Sequence, residues 1–354
     1  MKSHTNFWEK LVSFKNLSLA YKKARKAKPS SIEVLIFSMN LEKNLFALQE
    51  ELILGKYEVP EYRSFTIFEP KKRIIKALPF RNRIVQHALC NLIEPIFDKT
   101  FINNSFACRK NKGTHKGLIT IKKAVQNTFA KHGYALKCDV KKYFPTIDHT
   151  ILKQILFKRI KDKKVCDLIT LLVDSDNSDF GENKGIPIGN LTSQLFANIY
   201  LNEFDKFIKH KLRVKYYYRY VDDFIILSSS KKELHTYKTK IKRFLKIKLL
   251  LEIPKRKTNI YLIKDGVDFV GYKIFSLFVR LRKSNLIKFK KRTIHLSHLY
   301  LANKIYMYRL FASINSYLGY TMHANAYRIT SKMLFSFNFL FISYNSNFNK
   351  VRPH

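Results

Sequence analysis

Residues Tyr216-Tyr217-Tyr218-Arg219-Tyr220-Val221-Asp222-Asp223-Phe224-Ile225-Ile226-Leu227 decide how this chain is read. Two β-prone runs, Tyr216–Tyr220 and Phe224–Leu227, flank an acidic pair, which is the pattern of a hairpin with the acids at or beside its turn. Adjacent carboxylates at one turn repel, and each disfavours ionisation of the other. A bound divalent cation offsets that cost. Mg²⁺ is the natural candidate, because it takes carboxylate and phosphate oxygens and keeps part of its water. A surface Asp-Asp turn is the bland alternative.

Working outward, a second short strand, Tyr134–Val140, carries Asp139 at its end behind Tyr134-Ala135-Leu136-Lys137-Cys138. Beside the hairpin it would bring Asp139, Asp222 and Asp223 together. Three carboxylates can hold two Mg²⁺ ions about 4 Å apart, the arrangement that stabilises attacking and leaving oxygens in phosphoryl transfer. Mn²⁺ is the alternative ion.

Charge supports a polyanionic partner. The 354 residues carry 67 Lys and Arg against 26 Asp and Glu, a net +41. Such an imbalance destabilises a compact chain unless a partner neutralises it. An anionic membrane is the weaker candidate. The apolar stretch Leu334–Ile342 is interrupted by Ser336 and Asn338 and falls short of the roughly 20 residues of a span. Met1–Asn6 leads into no apolar segment of a secretory signal. Cys90, Cys108, Cys138 and Cys166 are far apart with no CxxC pair. They read as small buried hydrophobes in a reducing, intracellular setting rather than as disulfides or zinc ligands.

At about 150 residues per domain the length gives two domains or one divided fold. Gly and Pro number only 10 and 9, so connections should be short. Leu41, Leu45, Leu48, Leu52 and Leu54 recur near helical spacing within 1–58, and residues 62–78 read as extended around Lys71-Lys72-Arg73. Residues 83–97 read as an amphipathic helix. Asp148 is a cap for a helix through Ile151, Leu152, Ile155 and Leu156, and Asn190 or Thr192 for one through Leu195, Phe196, Ile199 and Phe204. After Asp268 there is no further carboxylate. Residues 269–354 hold 14 Lys and Arg and 18 Phe and Tyr. Most of these aromatics suit a helical core, and most of the cations suit a phosphate backbone.

These blocks occur in an order that resembles bacterial reverse transcriptases of the group II intron-like lineage. They are Pro70-Lys71-Lys72-Arg73, Arg83 to Leu89, Phe106-Ala107-Cys108-Arg109 with Gly113-Thr114-His115, Asp139 to Asp148, Gly185 to Gln194, Tyr220 to Asp223, and Phe269-Val270-Gly271-Tyr272. The resemblance covers about residues 40–330. Most of the lineage has Gln-Gly-x-x-x-Ser-Pro in its fourth block. This chain has Ile188-Gly189-Asn190-Leu191-Thr192-Ser193-Gln194, a form similar to the reverse transcriptases of diversity-generating retroelements. The segments Leu195–Leu201, Ser316–Tyr320 and His323-Ala324-Asn325 fit the same group.

The resemblance implies an α+β right-hand polymerase. N-terminal helices and fingers span 1–132. A palm with an antiparallel sheet spans 133–275, with a finger/palm segment at 180–210, and a short helical thumb spans 276–354. It implies error-prone, Mg²⁺-dependent copying of a template RNA into cDNA from dNTPs, in bacterial or phage-encoded cytoplasmic machinery. A small, basic, pentameric accessory variability protein is the implied partner. A retron or phage-defence reverse transcriptase and an inactive RNA-binding scaffold are the competing readings.

It also implies roles for individual residues. The Val140 carbonyl joins Asp139, Asp222 and Asp223 as a metal ligand. Lys71 and Arg73 grip the triphosphate, against the alternative of a solvated basic patch. Phe144 packs under the sugar C2′ as a steric gate, or is a core ring. Ile188 stands where glutamine would hydrogen-bond the nascent base pair. Gly189 admits the nucleotide, Gln194 contacts template or braces the loop, and Lys257, or Lys255, protonates departing pyrophosphate. His87, His115 and His323 read as structural or RNA-contacting. Asn82 occupies a position where relatives often have Asp.

Overall fold

The computed structural model describes residues 6–26, 28–68, 72–176 and 180–335. Its chain divides into two compact units. The first comprises Met1–Gly113, Cys138–Phe224 and His235–Asn259, and the second Thr114–Lys137, Ile225–Leu234 and Ile260–His354.

Four helices begin the chain: α1 Trp8–Val12, α2 Phe14–Arg25, α3 Ile32–Met39 and α4 Leu41–Ile53. In α4, Leu45, Leu48 and Leu52 are buried, whereas Leu54 is exposed because it lies past the last turn, off the apolar stripe. Strands β1 Arg63–Ile67 and β2 Arg73–Ala77 form an antiparallel hairpin paired Arg63 to Ala77 and Ile67 to Arg73. Helix α5, Phe80–Asp98, buries Ile84, Val85, Ala88, Leu89 and Ile93 along one stripe. Asn16 of α2 fastens that helix by donating from Nδ2 to the carbonyl of Ala88 at 3.1 Å.

The chain continues through α6 Thr114–Thr128, β3 Tyr134–Asp139, the single turn α7 Tyr143–Thr146, α8 His149–Phe157, α9 Lys163–Asp174 and α10 Leu191–Lys206. Asp148 caps α8 by accepting from the Ile151 N–H at 2.9 Å. Asp162 caps α9, and its other oxygen accepts from the amides of Phe7 and Trp8 at 2.7 and 2.8 Å. Asn190 occupies the cap position of α10 but makes no side-chain bond to the first turn. Strands β4 Tyr216–Tyr220 and β5 Asp223–Ser228 follow, then α11 Lys231–Lys248 and β6 Thr258–Leu262. The central sheet runs β4-β5-β3-β6, so Asp139 ends the strand next to the one that Asp223 begins.

In the second unit, β7 Val267–Phe269, β8 Tyr272–Ile274 and β9 Val279–Leu281 form an antiparallel sheet. Helices α12 Lys283–Leu301, α13 Met307–Thr321 and α14 Tyr327–Phe335 follow. Phe289 and Tyr317 stack with centroids 3.6 Å apart at the centre of their core. The Tyr272 hydroxyl donates to the Tyr320 carbonyl at 2.9 Å, and Asn325 bonds Val279 through both its backbone N–H and its side chain. Gly271 takes φ +94, and a Cβ there would meet the Tyr320 hydroxyl at 2.7 Å. The Ser316–Asn325 segment and the Phe269–Tyr272 turn thus pack on each other. Tyr306, Tyr308 and Tyr327 stay exposed.

Cys90 and Cys138 are buried as expected of small hydrophobes. Cys108 is exposed, because it sits in a turn at φ +52. No helix among the described residues is long and apolar enough to cross a membrane.

Candidate active site

The hairpin between β4 and β5 turns through Val221 and Asp222. Val221 adopts φ +54, a left-handed conformation that crowds a β-branched side chain. The N–H of Val140, just past β3, donates to the Asp222 carbonyl at 3.3 Å. The end of β3 is therefore tied to the acidic turn.

Asp139 and Asp222 come together there. The Asp222 carboxyl is pushed up to about 6, first by burial and then by the negative charge of Asp139, with Lys257 and Arg73 opposing. Lys257 Nζ forms an ion pair with Asp139 Oδ1. It sits in the short 3₁₀ turn Lys255–Lys257 before β6, the strand next to β3. Lys255 is exposed, and it is Lys257 that pairs with Asp139.

Asp223 is partly buried, and its charge acts on the buried thiol of Cys138, which burial pushes up to about 12. Cys138 and Asp139 are consecutive strand residues, whose side chains alternate between sheet faces. Among the described residues no three His, Cys, Asp or Glu side chains are assembled as a metal-holding group. The feature that suits a divalent cation is the Asp139–Asp222 pair, a hard oxygen donor set whose mutual repulsion a cation would relieve.

The charge of Arg73 also reaches this pair. Arg73 opens β2 and is exposed, while Lys71 lies outside the described residues. The Lys76 N–H donates to the Ile188 carbonyl at 3.0 Å, joining the β1–β2 hairpin to the Ile188–Gly189 loop. Gly189 has φ +126, and a Cβ on it would lie 2.8 Å from Ile75 Cγ2 and 3.0 Å from the Lys76 carbonyl oxygen. Glycine is thus required here for packing against the hairpin. Ile188 is half-buried, and Gln194, in the first turns of α10, is exposed.

Of two neighbouring rings, Tyr143 is buried, with its hydroxyl donating to the Ala197 carbonyl at 2.5 Å, and Phe144 is only half-buried. The Ile186 N–H donates to the Phe144 carbonyl at 3.1 Å. Asn82 is buried and donates to the Tyr57 hydroxyl at 3.1 Å, so a neutral amide replaces any ion pair at this position. His87 is pushed down to about 4 by burial and by the cations Lys23 and Arg83. His115 and His323 stack with centroids 3.5 Å apart.

Sequence reasoning missed one group. Arg219 and Asp205 are both fully buried and share three hydrogen bonds of 2.6 to 3.0 Å. The signal was an arginine inside a strand of tyrosines, which needs a buried carboxylate.

Residues 67–274 match the family described as reverse transcriptase (RNA-dependent DNA polymerase). The matched span exceeds half the chain, so the chain belongs to that family, and the mixed helix and strand fold is that of a right-hand, RNA-directed DNA polymerase. Group II intron-encoded proteins are among its relatives. Group II intron-encoded protein LtrA of Lactococcus lactis subsp. cremoris is 26% identical over 327 residues, covering 72% of this chain and 53% of that protein. The chain therefore spans about half the length of that relative. Protein YkfC of Escherichia coli (strain K12) is 24% identical over 308 residues, covering 75% and 80%. Among solved structures, apo telomerase from Candida tropicalis aligns with TM-score 0.45 and 15% identity, covering 67% of this chain and 59% of that one. The family uses an RNA template and nucleotide substrates, and generally divalent metal ions.

Proposed function

We propose that this chain is the error-prone RNA-directed DNA polymerase of a diversity-generating retroelement, copying a template RNA into cDNA for mutagenic retrohoming. The observation that carries the polymerase chemistry is the meeting of Asp139 and Asp222 at adjoining strand ends. The segment Ile188–Gln194 supports the retroelement assignment, because it has isoleucine where most of the lineage has glutamine.

Asp139 and Asp222, with the Val140 carbonyl, would hold two Mg²⁺ ions, and Asp223, next in the same turn, would complete the acidic cluster as a further ligand. When bound, the ions lower the pKa of the primer 3′-hydroxyl and neutralise charge on the transferred phosphate and leaving pyrophosphate. Lys71 and Arg73 grip the triphosphate, Arg73 with the bidentate donors that suit phosphate oxygens. Phe144, the accessible ring of its pair, rejects a 2′-hydroxyl by overlap. Lys257 delivers a proton to pyrophosphate from its place against Asp139. Gly189 keeps the loop closed on the β1–β2 hairpin while leaving space for the nucleotide, and Gln194 braces or contacts the template from α10. Ile188 holds the nascent pair by shape alone, which relaxes selection.

The functional partition is fingers at 1–132, palm at 133–275 with 180–210, and thumb at 276–354. A basic pentameric accessory protein and a structured template RNA complete the assembly, in the cytoplasm of a bacterium.

Primer extension on a defined RNA with dNTPs and Mg²⁺, followed by sequencing of the cDNA, tests the reading. Substitutions concentrated at template adenines support it. A low, even error spectrum points to a retron or phage-defence enzyme. Retained RNA affinity without any dNTP incorporation would make the chain a scaffold.

A further inference from the structure

Arg219 is the largest fully buried side chain among the described residues. Its Nε donates to both Asp205 carboxylate oxygens at 2.8 and 3.0 Å, and its Nη2 to Oδ2 at 2.6 Å. The Tyr217 hydroxyl donates to Asp205 Oδ1 at 2.7 Å. A buried ion pair this well satisfied is weak grounds for a stabilising role, since apolar residues of similar volume often replace one without loss.

The remaining nitrogen points elsewhere. Nη1 donates to Asn198 Oδ1 at 3.2 Å and to the carbonyl of Val221 at 3.0 Å. Asn198 in turn donates to the Ala107 carbonyl at 2.9 Å. The backbone of Arg219 is fixed as well. Its N–H donates to the Asn104 carbonyl, and its own carbonyl accepts from the Phe106 N–H, both at 3.0 Å.

Val221 is the left-handed residue of the acidic turn, and its carbonyl belongs to the peptide that precedes Asp222. The peptide that follows Asp222 is held through its carbonyl by the Val140 N–H. Both peptide planes flanking Asp222 are therefore pinned, one by a guanidinium and one by the end of β3. With both planes fixed, the backbone of Asp222 and the direction of its Cα–Cβ bond are fixed, which sets where its carboxylate can reach.

We propose that Arg219 is a positioning residue for the polymerase reaction: anchored on Asp205, it grips the Val221 carbonyl and so aims the Asp222 carboxylate at the reacting phosphate. This rests on the reading of Asp222 as a catalytic carboxylate. A lysine at this site keeps the charge but not the planar fork that reaches Asp205, Asn198 and Val221 at once.

The test uses the full chain as wild type, as Arg219→Lys, and as the paired Arg219→Met and Asp205→Leu variant. The pair removes both buried charges, so the fold survives even where the single variant does not. Amide hydrogen exchange over residues 220–224 reads the turn directly. Single-turnover primer extension reads its consequence. In both variants we expect exchange of the turn amides to rise by about tenfold or more while β3 and α10 stay protected. We expect kcat to fall about 100-fold, the scale set by misplacing a reacting group by an ångström. KM for dNTP and affinity for RNA stay within about twofold, a split that general loosening of the fold would not give. Unchanged turn protection in the folded paired variant overturns the proposal, as does wild-type kcat in that variant. If the wild type itself extends no primer, the polymerase reading fails, and the exchange result alone still decides whether Arg219 holds the turn.

Discussion

The backbone N–H of Lys76 donates to the carbonyl of Ile188 across 3.0 Å, so the hairpin that carries Arg73 and the loop that carries Ile188 and Gly189 form one piece. The same hairpin is fixed at its other side, where the Lys76 ammonium pairs with Asp176 and the Tyr62 hydroxyl meets Ser175 Oγ at 2.7 Å. Gly189 closes this joint at φ +126, with Ile75 and the Lys76 carbonyl where a side chain would begin. Gly189→Ala should lower stability by about 1–3 kcal/mol, from backbone strain and the displaced hairpin. It should also raise KM for dNTP more than it lowers kcat. Chemical unfolding and extension kinetics check this, and an unaltered midpoint would mean that the loop yields freely.

Much of this was legible beforehand because it depends on local chemistry. The Asp148 cap, the β3 strand ending in Asp139 and the hairpin around Val221-Asp222 each follow from residues close in sequence. Arg219–Asp205, Lys76–Ile188 and Asn82–Tyr57 were not legible. They join residues 14, 112 and 25 positions apart, and side-chain periodicity carries no information about such pairs. Asn190 likewise makes no cap bond: a residue type that suits a cap does not by itself decide where its side chain bonds. Among the acids, spacing alone gave no means of telling that Asp222 couples to Asp139 while Asp223 lies by Cys138.

Asp222 sets a pH dependence. Burial and Asp139 raise its folded carboxyl to about 6, above an unfolded value near 3.9. The folded state thus holds the proton more tightly, and stability falls as pH rises from about 4 to about 6. For a partly exposed group the loss is about 1–3 kcal/mol. In a chelating buffer, Asp222→Asn should be more stable than wild type by that amount above pH 6 and match it at pH 4, while extending no primer. Parallel unfolding curves at both pH values would show that Asp222 carries no such strain.

The net charge of +41 should act on RNA. If it serves six or more phosphate contacts, affinity falls about 10³-fold or more between 50 and 200 mM salt, as counterions are released. Filter binding or fluorescence anisotropy across that range gives the slope. A flat response would assign the charge to something other than phosphate.

Phe144 and Tyr143 offer a direct contrast, since one ring is half-buried and the other is buried and hydrogen-bonded. Phe144→Val should leave the fold intact and reduce discrimination against ribonucleotides by about tenfold or more, because the lost ring volume admits a 2′-hydroxyl. Competition between dCTP and CTP on one template measures it. Equal discrimination would return Phe144 to the status of a packing residue.

Ile188 bears on fidelity. Its carbonyl is committed to Lys76, so the loop's path does not depend on the side chain, and the side chain is half-buried beside Gly189. Replacing it tests chemistry rather than geometry. Ile188→Gln restores an amide that can hydrogen-bond the nascent pair, and one such bond is worth about 1 kcal/mol or somewhat more. That scale corresponds to roughly a tenfold change in selection, since 1.4 kcal/mol is a factor of ten. Misincorporation opposite template adenine should therefore fall by about that factor, with stability and RNA affinity unchanged. Because the main-chain bond persists in the variant, an unaltered error spectrum could not be blamed on a collapsed loop, and it would remove Ile188 from the account of error-prone copying.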